Sequence, residues 1–149
     1  MFKAQFYYLI ARRFVLLHDV TMVGIAWIGA YWLRFNLSQI PEPFNTQAYN
    51  ALPLVCVLQL VVFILFGVHR GAWRFTSTHD LMTVIKGVIF GAAGIAGAIF
   101  LATRLAAVPR AVLPMYAVLL VGLLCGPRLL YRLFREREIS KVGDKRVLV

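Results

Sequence analysis

Metal-binding and redox-active side chains are scarce in this chain of 149 residues, which has two cysteines and three histidines. Cys56 and Cys125 lie far apart in separate apolar runs, and His18, His69 and His79 are each isolated. None of these residues has the spacing that metal sites use. We therefore expect no metal site, and we expect both thiols to pack among apolar side chains.

Acidic residues are also few, with six Asp and Glu against 16 Lys and Arg. A catalytic centre needs a nucleophile, a base and an orienting partner within reach of one another. The isolated polar residues of this chain do not form such a set. The sequence therefore predicts no catalytic residue and no cofactor-binding residue here.

Apolar side chains make up 61% of the residues, and the mean hydropathy is +0.78, whereas an ordinary soluble domain is about 45–50% apolar. Four apolar runs cover residues 14–33, 52–68, 82–102 and 111–133. Each run is long enough to cross a bilayer as a helix, which bonds its own backbone groups in hydrocarbon. The sequence predicts an all-α integral membrane fold with four transmembrane helices in residues 1–141.

The basic residues are distributed unevenly between the two sides of this predicted bundle. Thirteen of the 16 Lys and Arg lie before the first run, in or beside the loop between the second and third runs, or from Arg128 onward, and only Arg34, Arg104 and Arg110 fall on the other side. The positive-inside rule then places both termini in the cytoplasm. The net charge of +10 indicates contact with anionic lipid headgroups, and no nucleic-acid-binding module accompanies it.

Asp19 is the one acidic residue inside an apolar run. A carboxylate in a membrane is costly, so a pairing or functional role is the default hypothesis. We expect an ion pair near the cytoplasmic rim, either with Arg12 or Arg13 or with Arg128 or Arg132 on a neighbouring helix. The alternative is a role in binding a substrate or a proton.

The third run contains small residues four apart, with Gly87 and Gly91 in one pair and Ala93 and Gly97 in the next. Such spacing lets helix backbones approach closely. We expect this face to pack inside the monomer, and packing between copies in a homo-oligomer is the alternative. In the fourth run, Pro127 predicts a kink or an early exit from the membrane.

The segment between the second and third runs reads FGVHRGAWRFTSTHDL over residues 66–81. Arg70, Trp73 and Arg74 are predicted to contact lipid headgroups, a polyprenyl phosphate or a neighbouring domain, because arginine suits phosphate and tryptophan suits the interface. The alternative is that they anchor the ends of two spans. Asp80 is expected in the first turn of the third helix, where a negative charge suits the helix dipole.

The last residues, 142–149, are predicted to form a linker and the start of a further domain. Gly143 and Asp144 are a turn signal, and the aliphatic run after them is typical of an opening buried strand. Many dinucleotide-binding domains begin with such a strand before a glycine-rich turn, which does not occur in these residues. A truncated cytoplasmic Rossmann-type domain is therefore expected.

Several of these motifs together resemble a known family. They are His18-Asp19, the stretch from Ala30 to Phe35, the 66–81 segment, Pro127-Arg128 and the stretch from Gly143 to Val149. In this combination the chain resembles the amino-terminal membrane region of the CapD/WbpM-like polysaccharide biosynthesis proteins, which are membrane-anchored nucleotide-sugar 4,6-dehydratases and epimerases. The resemblance covers essentially the whole chain.

The resemblance implies a parent enzyme of the bacterial inner membrane with a cytoplasmic NAD-binding domain. Such a lyase converts UDP-N-acetylglucosamine-like sugars to 4-keto-6-deoxy sugars for surface polysaccharide. None of the family's cofactor glycines or catalytic residues falls in residues 1–149, so no activity is expected of this chain alone. Two alternatives are the membrane domain of a polyprenyl-phosphate sugar-phosphate transferase and a self-standing small membrane protein.

Overall fold

The computed structural model describes residues 2–68, 78–104 and 108–146. These residues form four helices in chain order: α1 Phe2–Arg34, α2 Phe44–Leu65, α3 Thr78–Thr103 and α4 Val112–Arg146. Each contains a segment long and apolar enough to cross a membrane, over Arg13–Arg34, Phe44–Leu65, His79–Thr103 and Val112–Leu130. The predicted all-α class with four candidate spans is confirmed.

The helices pack in a ring, with α1 against α2, α2 against α3, α3 against α4 and α4 against α1. Successive helices run in opposite directions. On α1 and α2, Gly24 lies beside Leu52, and Trp27 bonds to Ala48, so later residues of one helix meet earlier residues of the other. The start of α1 and the end of α4 therefore lie at the same end of the bundle, which we call the rim end.

One face of each helix supplies the core. On α4 the core row recurs every four residues and consists of Val112, Tyr116, Leu120, Leu124 and Arg128. Large apolar side chains on the outer faces stay exposed, among them Leu65, Leu101 and Val118. Bundles that sit in lipid present apolar surface on both faces of their helices, because hydrocarbon replaces water outside.

The carboxyl end of α1 closes with a backbone motif that needs a left-handed residue. The N–H of Leu37 donates to the carbonyl of Trp32 at 2.9 Å, and the N–H of Asn36 donates to that of Leu33 at 3.1 Å. Asn36 has φ 56°, the conformation that this Schellman motif requires and that asparagine tolerates better than most residues. The turn ends α1 at Arg34 and sends the chain back toward α2.

Helix α2 begins eight residues before the predicted span, which started at residue 52. The first N–H groups of this helix donate to the backbone carbonyls of Pro41 and Pro43, and Glu42 supplies a further partner. Its carboxylate accepts the Thr46 hydroxyl at 2.8 Å and the Thr46 N–H at 3.2 Å. Pro53 lies inside the helix and removes only one backbone donor, so it does not delay the helix start.

Helix α4 bears on two predictions. It is continuous through Pro127, and the kink or early exit from the membrane that was predicted there stays a prediction. It also continues over residues 142–146, so the turn predicted at Gly143 and Asp144 is wrong. The aliphatic residues after this turn, on which the predicted strand rests, come after the described end of the helix, so the strand stays a prediction. Residues 147–149 lie outside the described ranges.

Helix α3 carries the predicted pairs of small residues, and the structure shows what the first pair packs against. Asp80 lies in the first turn of α3, as predicted. A Cβ added at Gly91 would overlap the side-chain amide of Gln59, and one added at Gly87 would lie 3.2 Å from Val68 Cγ2 and 3.3 Å from Phe63 Cδ1. The first small-residue pair therefore packs inside the monomer, as predicted. Gly97 of the second pair faces open space within the described part of the chain.

Replacing Gly91 with alanine is expected to lower the free energy of unfolding by about 1–3 kcal/mol, because the new methyl group displaces a packed polar side chain. The matched control is Gly94→Ala, three residues along the same helix, where no described atom lies within 4 Å of the added Cβ. Unfolding of both variants in detergent micelles measures the difference. Equal stability of the two variants would contradict the packing seen at Gly91.

Replacing Thr46 with valine is expected to raise the pKa of Glu42. In the folded chain this pKa is lowered, first by the Thr46 hydroxyl and then by the Thr46 N–H. A lowered folded-state pKa stabilises the start of α2 above the unfolded pKa of the carboxyl, and this contribution is lost as the pH falls through the folded value.

An NMR titration of the Glu42 carboxyl measures this shift. Thr46→Ser keeps the hydroxyl and serves as the control, so its Glu42 pKa should stay low. An unchanged pKa in Thr46→Val would show that the hydroxyl does not hold the carboxylate.

Candidate functional site

The loop residues predicted to contact headgroups or a neighbouring domain, Arg70, Trp73 and Arg74, lie outside the described residues. Their role stays a prediction. The described residues place buried polar groups in two other regions. One is the centre of the bundle, around Gln59, and the other is the rim end, around Asp19 and Arg128.

The side chain of Gln59 joins three helices at the centre of the bundle. It is fully buried on α2. Its Nε2 donates to the Gly87 carbonyl of α3 at 3.1 Å, and its Oε1 accepts the Tyr116 hydroxyl of α4 at 3.0 Å. A helical carbonyl has a second lone pair for such a bond, so the amide is satisfied without disrupting α3.

Trp27 extends this contact to the remaining helix. Its Nε1 donates to the Ala48 carbonyl of α2 at 3.0 Å. Its ring meets the edges of Tyr116 at 5.6 Å and Tyr31 at 5.4 Å between centroids, the arrangement that aromatic quadrupoles favour. We call Trp27, Gln59, Gly87 and Tyr116 the central polar cluster. It connects all four helices.

Two further buried polar atoms near this cluster have no hydrogen-bond partner in the described structure: the Tyr31 hydroxyl and Gln47 Oε1. Tyr31 lies one turn beyond Trp27 on α1, and Gln47 precedes Ala48 on α2. A buried hydroxyl without a partner costs free energy. Tyr31 therefore contributes to the core through its ring and not through its oxygen.

Asp19 is buried on the inner face of α1, with 1% of its surface exposed. The Nδ1 of the half-buried His18 lies 3.3 Å from its Oδ1. This neighbour was not among the predicted partners of Asp19. The side chains of Arg12 and Arg132, two of the predicted partners, lie outside the described residues, so the predicted pairing with arginine stays a prediction.

Arg128 ends the core row of α4. Only 7% of its surface is exposed, and its Nη2 is buried with no hydrogen-bond partner in the part of the chain that the structure describes. A guanidinium is a charged group with five N–H donors. Leaving one of these donors buried without an acceptor costs free energy.

Asp19 and Arg128 lie at about the same depth in the bundle. Gly29 of α1 approaches Leu119 of α4. From that level, Asp19 is about 15 Å and Arg128 about 14 Å toward the rim end, at 1.5 Å per helical residue. The buried Asp and Arg side chains of the described residues therefore belong to one end of the bundle.

The cysteines and histidines do not come together in the described residues. Cys56 is half-buried and Cys125 buried, and both are free thiols. Within the same residues, no group of three or more His, Cys, Asp or Glu side chains could hold a metal ion. The chemistry that the described side chains offer is hydrogen bonding and charge pairing.

The sequence prediction missed Gln59, Tyr116 and Trp27 as a connected set. A signal for one of them was present, because a glutamine inside an apolar run is costly unless another helix bonds to it. The partners were not readable, since residues 59 and 116 are brought together only by the packing of α2 and α4.

No protein family, no curated protein and no solved structure was found to match this chain.

Replacing Tyr116 with phenylalanine is expected to lower the free energy of unfolding by about 1–2 kcal/mol, because Gln59 Oε1 is then buried without its donor. Tyr31→Phe is the matched control, since it removes a buried hydroxyl that has no partner and is expected to be neutral or stabilising. Unfolding in detergent micelles measures both. A Tyr31→Phe variant that loses as much stability as Tyr116→Phe would contradict this account of the cluster.

Proposed function

We propose that this chain is the membrane-anchoring domain of a bacterial nucleotide-sugar dehydratase or epimerase that acts in surface polysaccharide biosynthesis. The proposal rests on the motif resemblance given above. The parent enzyme would use NAD to convert a UDP-N-acetylglucosamine-like sugar in the cytoplasm. The bundle itself would hold that activity at the inner membrane.

The observation that best supports an anchoring role is the course of α4 beyond the bundle. The candidate span ends at Leu130, but the helix continues to Arg146. At 1.5 Å per residue this extension is about 24 Å long. A continuous helix transmits position and orientation better than a flexible linker does, which suits the connection between a membrane bundle and a water-soluble domain.

The composition of the extension also favours this role. Residues 131–146 contain six basic and three acidic side chains among five apolar ones, so this part of α4 suits the headgroup layer and the water beyond it. It leaves the bundle at the rim end, where α1 also extends before its span, from Phe2 to Arg12. The excess of basic residues at this end favours a cytoplasmic position.

The proposal separates what this chain does from what its parent does. The central polar cluster is saturated by bonds among the four helices, so its residues serve packing in the described structure. The chemistry of the proposed enzyme would come from a downstream domain that supplies the NAD site and the catalytic residues. This chain would supply location and orientation.

An assay of membranes that contain the full gene product tests the proposal. With UDP-N-acetylglucosamine and NAD, we expect turnover to a 4-keto-6-deoxy sugar in the membrane fraction. Residues 1–149 expressed alone should insert into the membrane and show no turnover, because no catalytic residue was predicted in them. A gene product lacking residues 1–149 should keep turnover but lose the membrane fraction.

Other outcomes would replace the proposal. Transfer of a sugar phosphate to a polyprenyl phosphate, with no dehydration, would assign the bundle to a transferase. A gene product that ends at Val149 would identify a self-standing membrane protein.

A further inference from the structure

We propose that Arg128 binds the phosphate of an anionic membrane lipid at the rim end of the bundle. The observation behind this is Arg128 itself, a residue that is more than nine-tenths buried and whose Nη2 atom is buried with no hydrogen-bond partner among the described residues. A charged donor in this position needs an acceptor, and intramembrane arginines generally mark functional positions.

The position of Arg128 on α4 makes it reachable from the headgroup layer. It lies two residues before the end of the candidate span at Leu130, on the inner row of the helix. An arginine stem is long enough to carry its charge from such a position toward the membrane surface. The guanidinium can therefore meet a phosphate that enters at the rim.

The chemistry of the side chain selects phosphate among the available acceptors. The planar fork of a guanidinium matches two oxygens of a phosphate. Arg13 and Lys86 are exposed basic residues on α1 and α3, the two helices that pack against α4. Both lie toward the rim end, where they add positive potential. Asp19 lies at a similar depth, but its carboxylate does not take the Nη2 donor.

The surroundings of Arg128 favour a lipid over a soluble phosphate. The next residues on the helix, Leu129 and Leu130, are apolar and exposed, as are Leu133 and Phe134. A lipid can place its phosphate on the guanidinium and its acyl chain along this apolar face. A free phosphate ion would gain only the first contact. The proposal does not depend on the identity of the parent enzyme.

Native mass spectrometry of the full chain, reconstituted with phosphatidylcholine and increasing phosphatidylglycerol, tests this proposal. The wild type is expected to retain phosphatidylglycerol. Arg128→Gln is expected to weaken that retention about tenfold or more, the usual loss for a hydrogen bond to a charged group. Arg128→Lys, which keeps the charge without the fork, should fall between the two.

The control is Arg110→Gln, which removes one exposed basic residue from the opposite end of the bundle and should leave retention unchanged. A thermal unfolding series in the same lipids checks folding. Phosphatidylglycerol should raise the melting temperature of the wild type and of Arg110→Gln but not of Arg128→Gln.

Three results would overturn the proposal. One is equal lipid retention by the wild type and Arg128→Gln. Another is a loss of stability in Arg128→Gln that is the same with and without phosphatidylglycerol, since the guanidinium would then serve only packing. The last is stabilisation of the wild type by inorganic phosphate in pure phosphatidylcholine that equals the effect of phosphatidylglycerol, since the source would then be soluble.

Discussion

The amide of Gln59 is the contact on which the arrangement of the four helices depends. Between helices in hydrocarbon, apolar side chains gain little from packing against each other instead of against lipid, so hydrogen bonds and close backbone approach carry more of the specificity. Gln59 provides both, since it bonds to Gly87 and Tyr116 and lies against the bare backbone of Gly91. Each of these contacts can form only in one register of α2, α3 and α4.

The need for hydrogen bonds and close approach between helices also explains the roles of the small and aromatic residues around the central polar cluster. Glycine at position 91 leaves room for the side-chain amide of Gln59, which a larger residue there would displace. Trp27 donates to the Ala48 carbonyl and packs edge-on against the ring of Tyr116. Apolar residues then fill the rest of the core without determining its register. A polar centre inside an apolar bundle thus gives a unique arrangement where hydrophobicity alone would permit several.

The two ends of the bundle differ in how their polar groups are satisfied. Away from the rim, Glu42 caps α2 and Asn36 closes α1, so the short connection is held by local hydrogen bonds. At the rim end, Asp19 and Arg128 are buried in the core rows, and Nη2 of Arg128 lacks a partner in the described chain. Of the three buried polar atoms without a partner in the described residues, Nη2 of Arg128 is the charged one, and there a phosphate would gain a hydrogen bond. The extension of α4 leaves the bundle from this end.

The sequence by itself determined the class of the fold, because long apolar runs can satisfy their backbone only as helices in lipid. The composition of α3 also predicted close packing at Gly87 and Gly91. The predicted second span began at residue 52, whereas α2 begins at Phe44, because hydrogen bonds to Glu42 and to backbone carbonyls do not show in a hydropathy pattern. The sequence also predicted a turn at Gly143 and Asp144, where α4 continues, because a local turn signal does not reveal whether a helix runs through it.

Only the tertiary structure decided which polar residues meet. Gln59 and Tyr116 are 57 positions apart, and Trp27 and Tyr116 come from the first and last helices. Their proximity depends on the rotation and register of packed helices, which a linear pattern does not encode. Apolar content is a property of each segment alone, whereas a hydrogen bond between helices is a property of their arrangement.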